Sequence, residues 1–165
     1  MSAPVVVADA GPLIALGRIG QLWLLRDLYG IVLIPPCVFE ELQVESGRPG
    51  AKAAAEALRE GWLRVQIVRD SSALSRLVAW VHPGEAQAIV LAQEVPLRFL
   101  LVDDRRAREA GRRSSVKVVG TGGVLLTAKR RGLIEAVGPL VADLSAAGYR
   151  LSQPLIDRLL ALAGE

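Results

Sequence analysis

Four acidic residues stand where a charge is costly to place, which makes them the first candidates for chemistry. They are Asp9, Glu41, Glu85 and Asp104. Each follows an apolar run or falls on the inward side of an expected helix, where an unpaired carboxylate destabilises the folded chain. Hard divalent cations bind carboxylate oxygens, so convergence of the four would indicate a metal site.

Basic side chains are concentrated in one part of the chain. Residues 98–131 carry ten basic and three acidic side chains, a local net charge of +7, which leaves −4 for the rest of the chain. A basic face binds backbone phosphates, and a metal held by neighbouring acids can hydrolyse a phosphodiester. The alternative is an arginine-rich helix that faces only water.

The elements that must position these residues follow from five apolar runs. They are residues 5–8, 31–34, 63–68, 99–102 and 116–119. Helical spacing separates them and no Asn-Gly or Asp-Gly hairpin signal joins them, which predicts an α/β fold with a parallel sheet covered on both faces. After residue 119 the pattern is helical throughout, with helices expected over residues 122–131, 139–147 and 152–163.

In an open parallel sheet, ligands bind beyond the carboxyl ends of the strands. Asp9 directly follows the first run, and Asp103 and Asp104 directly follow the fourth. If those two strands are neighbours, their acids can share an ion. Taken alone, Asp9 could instead cap the helix that follows it.

Helical geometry places the two glutamates. In the helix that opens at residue 35, Glu41 lies near the apolar stripe while Glu40 points to the opposite side. Glu85 shares a face with Ile89 in the first turn of the next helix of interest. The alternative for Glu85 is an acid that stabilises a helix N-terminus.

Four segments resemble the PIN-domain family, in particular its short stand-alone prokaryotic branch related to VapC-type toxins. The segments read VVVADAGPLI (5–14), IPPCVFEEL (34–42), GEAQAI (84–89) and LVDDRRAR (101–108). The resemblance runs from residue 5 to the C-terminus. It implies one domain over residues 1–165, with a five-stranded parallel sheet flanked by helices and a helical extension from about residue 133.

The resemblance also implies a site and an activity. Its four acids fall on Asp9, Glu41, Glu85 and Asp104, which would hold Mg²⁺ or Mn²⁺ and hydrolyse RNA; Asp103 is a substitute or additional ligand. The chain departs from the family at two points. Ala10 and Gly11 stand where many relatives carry a hydroxyl, and Glu85 replaces the usual aspartate.

Contacts with RNA are expected beside the acids. Arg105, Arg106 and Arg108 would be the nearest phosphate contacts, and Thr121 lies in a glycine-rich turn on the same rim. Trp23, Trp62 and Trp80 could stack on bases, but their apolar neighbours favour core or subunit contacts.

The sequence also bears on location and partners. No secretory signal or membrane span is evident, so a cytoplasmic location is expected. The apolar stretch 13–28 suggests a homodimer contact or a groove for a small antitoxin protein.

Three functions can be compared. The first is a metal-dependent ribonuclease, the toxin of a toxin–antitoxin pair; the second is a catalytically weak PIN domain that binds RNA as a regulatory module. The third, a phosphoacceptor receiver domain, needs an acceptor aspartate on the central strand and a distal lysine after the last strand, and the chain does not supply both. One histidine and one cysteine leave a catalytic triad or a zinc site without its usual parts.

Overall fold

Each of the five apolar runs contributes a strand to a single sheet in the computed structural model, which describes residues 3–165. The strands are β1 (Val5–Ala8), β2 (Val32–Ile34), β3 (Leu63–Val65), β4 (Leu97–Leu101) and β5 (Val118–Val119). The predicted run 63–68 is longer than β3 because β3 is an edge strand whose side chains turn to solvent after Leu63, and Ile67 is 70% exposed.

Helices fill the segments between the strands and after the last one. They are α1 (Ala10–Arg18), α2 (Trp23–Tyr29), α3 (Pro36–Leu42), α4 (Pro49–Glu60), α5 (Ser71–Leu77), α6 (Pro83–Glu94), α7 (Arg105–Arg113), α8 (Thr121–Arg130), α9 (Gly138–Ala146) and α10 (Gln153–Ala163). The three helices predicted after residue 119 are α8, α9 and α10. Proline in the first turn of α3, α4, α6, α9 and α10 fixes where those helices begin.

The strand order is β3-β2-β1-β4-β5 and every pairing is parallel. This confirms the predicted α/β fold. The chain leaves β1 towards β2 and later returns to its other side as β4, with Val6 opposite Phe99 and Ala8 opposite Leu101. The strand order therefore reverses between β1 and β4, and a crevice forms at their carboxyl ends. Asp9, Asp103 and Asp104 border it.

Alternate side chains of the strands feed two hydrophobic cores, one on each face of the sheet. Val6 and Leu101 pack with α1, α2, α4, α8 and α9. Val7 and Leu100 pack with α6 and α7 on the opposite face. The sheet is covered on both sides, so only the strand ends remain open to a ligand.

The apolar stretch 13–28 belongs to the first core. Leu13, Leu16 and Leu24 are each fully buried within this one chain. Other helices of the same chain cover these three side chains, so they form no free apolar surface. The homodimer contact and the antitoxin groove expected for this stretch stay predictions.

The C-terminal helices complete the same core. Leu140 and Leu144 of α9 are buried in it, and Leu159 of α10 is buried over α8, where its methyl groups lie close to Gly122. Within residues 3–165, no helix combines the length and the hydropathy needed to cross a bilayer.

Candidate active site

Asp9 is held at the carboxyl end of the central strand β1, where its backbone amide donates to the Leu101 carbonyl oxygen of β4. It occupies the position before α1 with an extended backbone, but its side chain makes no capping hydrogen bond. The residue is 8% exposed, and its buried Oδ1 atom has no hydrogen-bond partner among residues 3–165. The capping explanation for Asp9 is therefore not supported, and one of its carboxyl oxygens is buried without a hydrogen bond from the described residues.

The pKa of the Asp9 carboxyl is raised to about 7, mainly by burial and also by the negative charges of Glu85 and Glu41. The adjacent Ala10 amide and His82 oppose the shift without cancelling it. Two further acids thus lie close enough to Asp9 to repel its negative charge. The Asp9 carboxyl is therefore partly protonated near neutral pH.

Glu85 lies in the first turn of α6 and is 7% exposed. Its Oε1 atom accepts a hydrogen bond from the His82 amide at 3.1 Å, so the helix-terminal role considered for this residue is real. Burial raises the pKa of Glu85, as do the charges of Asp104 and Glu41, against the effect of the His82 amide. Glu85 therefore lies within electrostatic range of both Glu41, on α3, and Asp104, which follows β4.

Glu41 reaches the site from the end of α3. The residue as a whole is exposed, but its carboxylate lies against the first turn of α6, and a Cβ atom at Gly84 would collide with Glu41 Oε1. Desolvation at this contact raises the pKa of Glu41. Glycine at position 84 is what allows the carboxylate to approach Glu85 and Asp9.

The two aspartates after β4 have different surroundings. Asp104 is exposed and caps α7, accepting from the Ala107 amide at 3.0 Å. Asp103 accepts from the amide and the hydroxyl of Thr121, at 2.8 and 2.5 Å, and also from the Tyr149 hydroxyl. Asp103 is thus fixed by three donors, whereas Asp104 is exposed and accepts from the Ala107 amide through Oδ2.

Tyr149 is a site residue that the sequence did not indicate. It follows α9, far from the acids along the chain, and its hydroxyl reaches Asp103 beside Thr121 and within the electrostatic range of Asp9. Burial and the charge of Asp103 raise the pKa of Tyr149 well above its usual value, so the hydroxyl keeps its proton. No local pattern marks Tyr149, because only the packing of α9 brings it to this rim.

The predicted phosphate contacts fall into two groups. Arg105 and Arg106 are exposed in the first turn of α7. Arg108 is half-buried, and its Nη1 atom donates to the Val102 carbonyl oxygen at 3.1 Å. A Cβ atom at Gly120 would lie 2.8 Å from both Arg108 Nη1 and Asp103 Oδ1, so glycine allows β5 to end against this pair. Thr121 is fully buried.

The acids lie near one another but do not form a complete set of metal ligands. Across residues 3–165, no three histidine, cysteine, aspartate or glutamate side chains are placed closely enough to ligate one ion as they stand. The mutual pKa effects nevertheless connect Asp9 with Glu41 and Glu85, and Glu85 with Asp104. The result is an acidic crevice with one unsatisfied oxygen in its floor.

Comparison with known proteins places this architecture in a family. No curated protein matches the sequence. A solved domain of a functionally unknown protein from Methanocaldococcus jannaschii is similar with a TM-score of 0.46 and 20% identity, over 72% of this chain and 91% of that one. The family model DUF3368, a PIN domain, matches residues 5–165, and PIN domains are generally nucleases that use divalent metal ions. The chain therefore belongs to the PIN-domain family.

Proposed function

We propose that this protein is a metal-dependent endoribonuclease. The observation that carries the proposal is Asp9, a buried carboxyl with an oxygen that no group of residues 3–165 satisfies. It lies beside two further carboxyls whose pKa values are also raised. Within residues 3–165, no lysine or arginine pairs with Asp9, Glu41 or Glu85, and the one basic group close to them is the exposed His82, whose Nδ1 atom lies 3.9 Å from Glu85 Oε1. A cation is the missing partner that would stabilise all three.

The residues fit Mg²⁺ or Mn²⁺. Both are hard ions that bind carboxylate oxygen, and Mg²⁺ commonly keeps several waters and uses one or two carboxylates together with substrate phosphates. An open acidic crevice meets that requirement better than a closed cage would. Asp9, Glu41, Glu85 and Asp104 would hold the ion, with Asp103 as a substitute or additional ligand.

Each residue has a distinct task in hydrolysis of a phosphodiester. A divalent cation, when bound, lowers the pKa of water and offsets charge on the phosphate. Asp9, at the floor of the crevice, would determine the position of the cation. Burial raises the pKa values of Glu41 and Glu85, which makes each a stronger proton acceptor than an exposed carboxylate. The Tyr149 and Thr121 hydroxyls fix Asp103 and so keep the end of β4 in place.

Recognition of RNA is proposed for the basic rim of the crevice. Arg105 and Arg106 follow the acids directly and are exposed, so they can bind phosphates next to the reacting bond. Arg108 is already bonded to the Val102 carbonyl oxygen and supports the rim from beneath. Thr121 is buried, so its contribution is through Asp103 rather than by direct contact with RNA.

The test is cleavage of a mixed RNA substrate by the purified protein in Mn²⁺ or Mg²⁺, with EDTA as the metal-free control. Glu41→Gln should lose at least about 100-fold in rate, in line with loss of a positioned acid or base. Glu40→Gln is the matched control, because it makes the same change one residue away on the opposite side of α3. Equal loss in both variants, or cutting by wild type in EDTA, would overturn the proposal.

One set of observations favours the second function, a catalytically weak RNA-binding module. Glu85 and Asp104 each use an oxygen to cap a helix, and no three acids are grouped around one point in residues 3–165. A module of this kind would bind RNA equally well with and without Mn²⁺ and would leave it intact. The cleavage assay above therefore distinguishes the two functions.

We further propose that the protein acts as the toxin of a toxin–antitoxin pair, as a homodimer that a small antitoxin protein inhibits. The resemblance of its segments to the VapC-related branch supports this. Induced expression should arrest bacterial growth, and Asp9→Asn should abolish the arrest. Sedimentation of the purified protein tests the dimer, and an unimpaired culture expressing the wild-type chain would count against a toxin.

A further inference from the structure

A second feature lies outside the acidic crevice, in an open groove of ≈ 890 Å³ between α5, α6 and α7. Ala73, Leu77 and Ala110 provide apolar lining, and arginines stand around it. Arg105 and Arg106 line its near end, immediately after Asp104, and Ser114 lines its far end beyond α7. The groove therefore begins at the candidate active site and extends along α7, a distance of about 13 Å.

Trp80 lines this groove and is 71% exposed. The sequence favoured core or subunit contacts for the three tryptophans. Trp62 is buried in the core and Trp23 packs against it, whereas Trp80 follows α5 and presents its ring to solvent. An exposed indole beside cationic side chains is the arrangement on which a nucleic-acid base stacks.

The charge of the groove is positive and largely unpaired. Arg76, Arg105 and Arg106 line it, and within residues 3–165 no acidic group forms an ion pair with any of them. Arg113 is paired with Glu109 at 3.1 Å. A second copy of the chain is a poor occupant, because a two-fold contact would bring the same arginines face to face.

We propose that this groove holds single-stranded RNA leading away from the cleavage site, with one base stacked on Trp80 and the backbone phosphates along the three unpaired arginines. A base can stack on an exposed ring only when it has left its own helix, which is why a single strand is favoured over a duplex. The inference rests on the proposed function and adds where the substrate lies.

Binding of a fluorescein-labelled oligouridylate in EDTA tests the groove without any cleavage. Trp80→Ala should weaken binding roughly 5- to 150-fold, the loss expected for one stacked base, while Trp80→Phe should retain part of the affinity. Arg76→Gln should reduce the slope of log affinity against log salt by roughly 0.7, the value for one phosphate contact on a single strand.

Arg59→Gln is the matched control. Arg59 is on α4, away from the groove, and its side chain is 75% exposed, so it tests the same change of charge without the groove. It should leave the slope unchanged. Wild-type affinity in both Trp80→Ala and Arg76→Gln would overturn the inference, as would a change in oligomeric state in Trp80→Ala with no change in RNA affinity.

The outcome is separable from the fate of the proposed function. If the groove variants lose RNA affinity in EDTA while the wild type cuts no RNA in Mn²⁺, the groove is correct and the nuclease proposal fails. If the wild type cuts and the groove variants bind and cut as well as it does, the nuclease proposal stands and the groove is rejected.

Discussion

The Asp9 carboxyl, buried and unsatisfied at one oxygen, links folding to pH. Its pKa is raised from 3.8 to about 7 in the folded chain, chiefly by burial. The folded state therefore binds more protons than the unfolded state between these values, and the free energy of unfolding falls as pH rises through that window. A shift of this size corresponds to roughly 4 kcal/mol as an upper bound.

Asp9→Asn should therefore stabilise the metal-free protein. The amide keeps the shape of the side chain and carries no charge, so in EDTA at pH 8 the variant should unfold at higher urea concentration than wild type, by up to a few kcal/mol. At pH 4 the two should be nearly equal, because Asp9 is then protonated. A variant less stable than wild type at pH 8 would show that the ionised Asp9 carboxylate does not destabilise the folded protein.

The two aspartates after β4 should separate by function. Asp104→Asn keeps a good helix cap, so the free energy of unfolding should change by less than about 0.5 kcal/mol while RNA cleavage falls sharply. Asp103→Asn loses the anionic acceptor for Thr121 and Tyr149, which should cost roughly 1.5–3 kcal/mol. Urea unfolding and cleavage rates measured on both variants check this, and the reverse pattern would make Asp103 the ligand.

At the scale of elements, the first turn of α6 is shaped by the carboxylate that lies against it. Gly84→Ala should raise the free energy of unfolding by up to about 1 kcal/mol in a Glu41→Ala background, where alanine improves the helix and nothing obstructs its methyl group. In the wild-type background the collision with Glu41 should cancel that gain and weaken Mn²⁺ binding.

A double-mutant cycle over Glu41 and Gly84 measures this coupling directly. We expect the four free energies of unfolding to be non-additive, with the alanine at position 84 favourable only when Glu41 is absent. Additive free energies would mean that the Glu41 carboxylate does not depend on the space left by Gly84.

The site residues that could be predicted from the sequence are those whose positions follow from a nearby strand or helix pattern. Asp9 and Asp104 follow apolar runs, so their position at the strand ends required only that the runs be parallel strands. That β1 and β4 are neighbours depends on tertiary structure, and the sequence alone could not establish it. Glu41 was found from helical spacing, but its contact with Gly84 depends on how α3 meets α6.

Other features depended on packing between distant elements. Tyr149 reaches Asp103 only because α9 docks on the first core, and Trp80 is exposed only because α5 ends before it. The same limit applies to the stretch 13–28. An apolar helix pair predicts burial, but which surface covers it is decided by α4, α8 and α9.

At the scale of the whole molecule, the C-terminal helices pack in the same hydrophobic core as one face of the sheet. They also contact the candidate site through the hydrogen bond from Tyr149 to Asp103. Leu159→Ala removes a buried side chain and should cost about 2–5 kcal/mol. We expect hydrogen exchange to show lower protection in β5 and α8 as well as in α10, because they unfold together. Loss of protection confined to α10 would show that the extension from about residue 133 is a separate unit.

The central claim is that an acidic crevice with an unsatisfied oxygen binds a divalent cation, and titration of the metal-free protein with Mn²⁺ by calorimetry at pH 8 tests it most directly. We expect saturable binding by the wild type and none by Asp9→Asn, with Glu40→Gln unchanged. The same heats from wild type and Asp9→Asn would contradict the account.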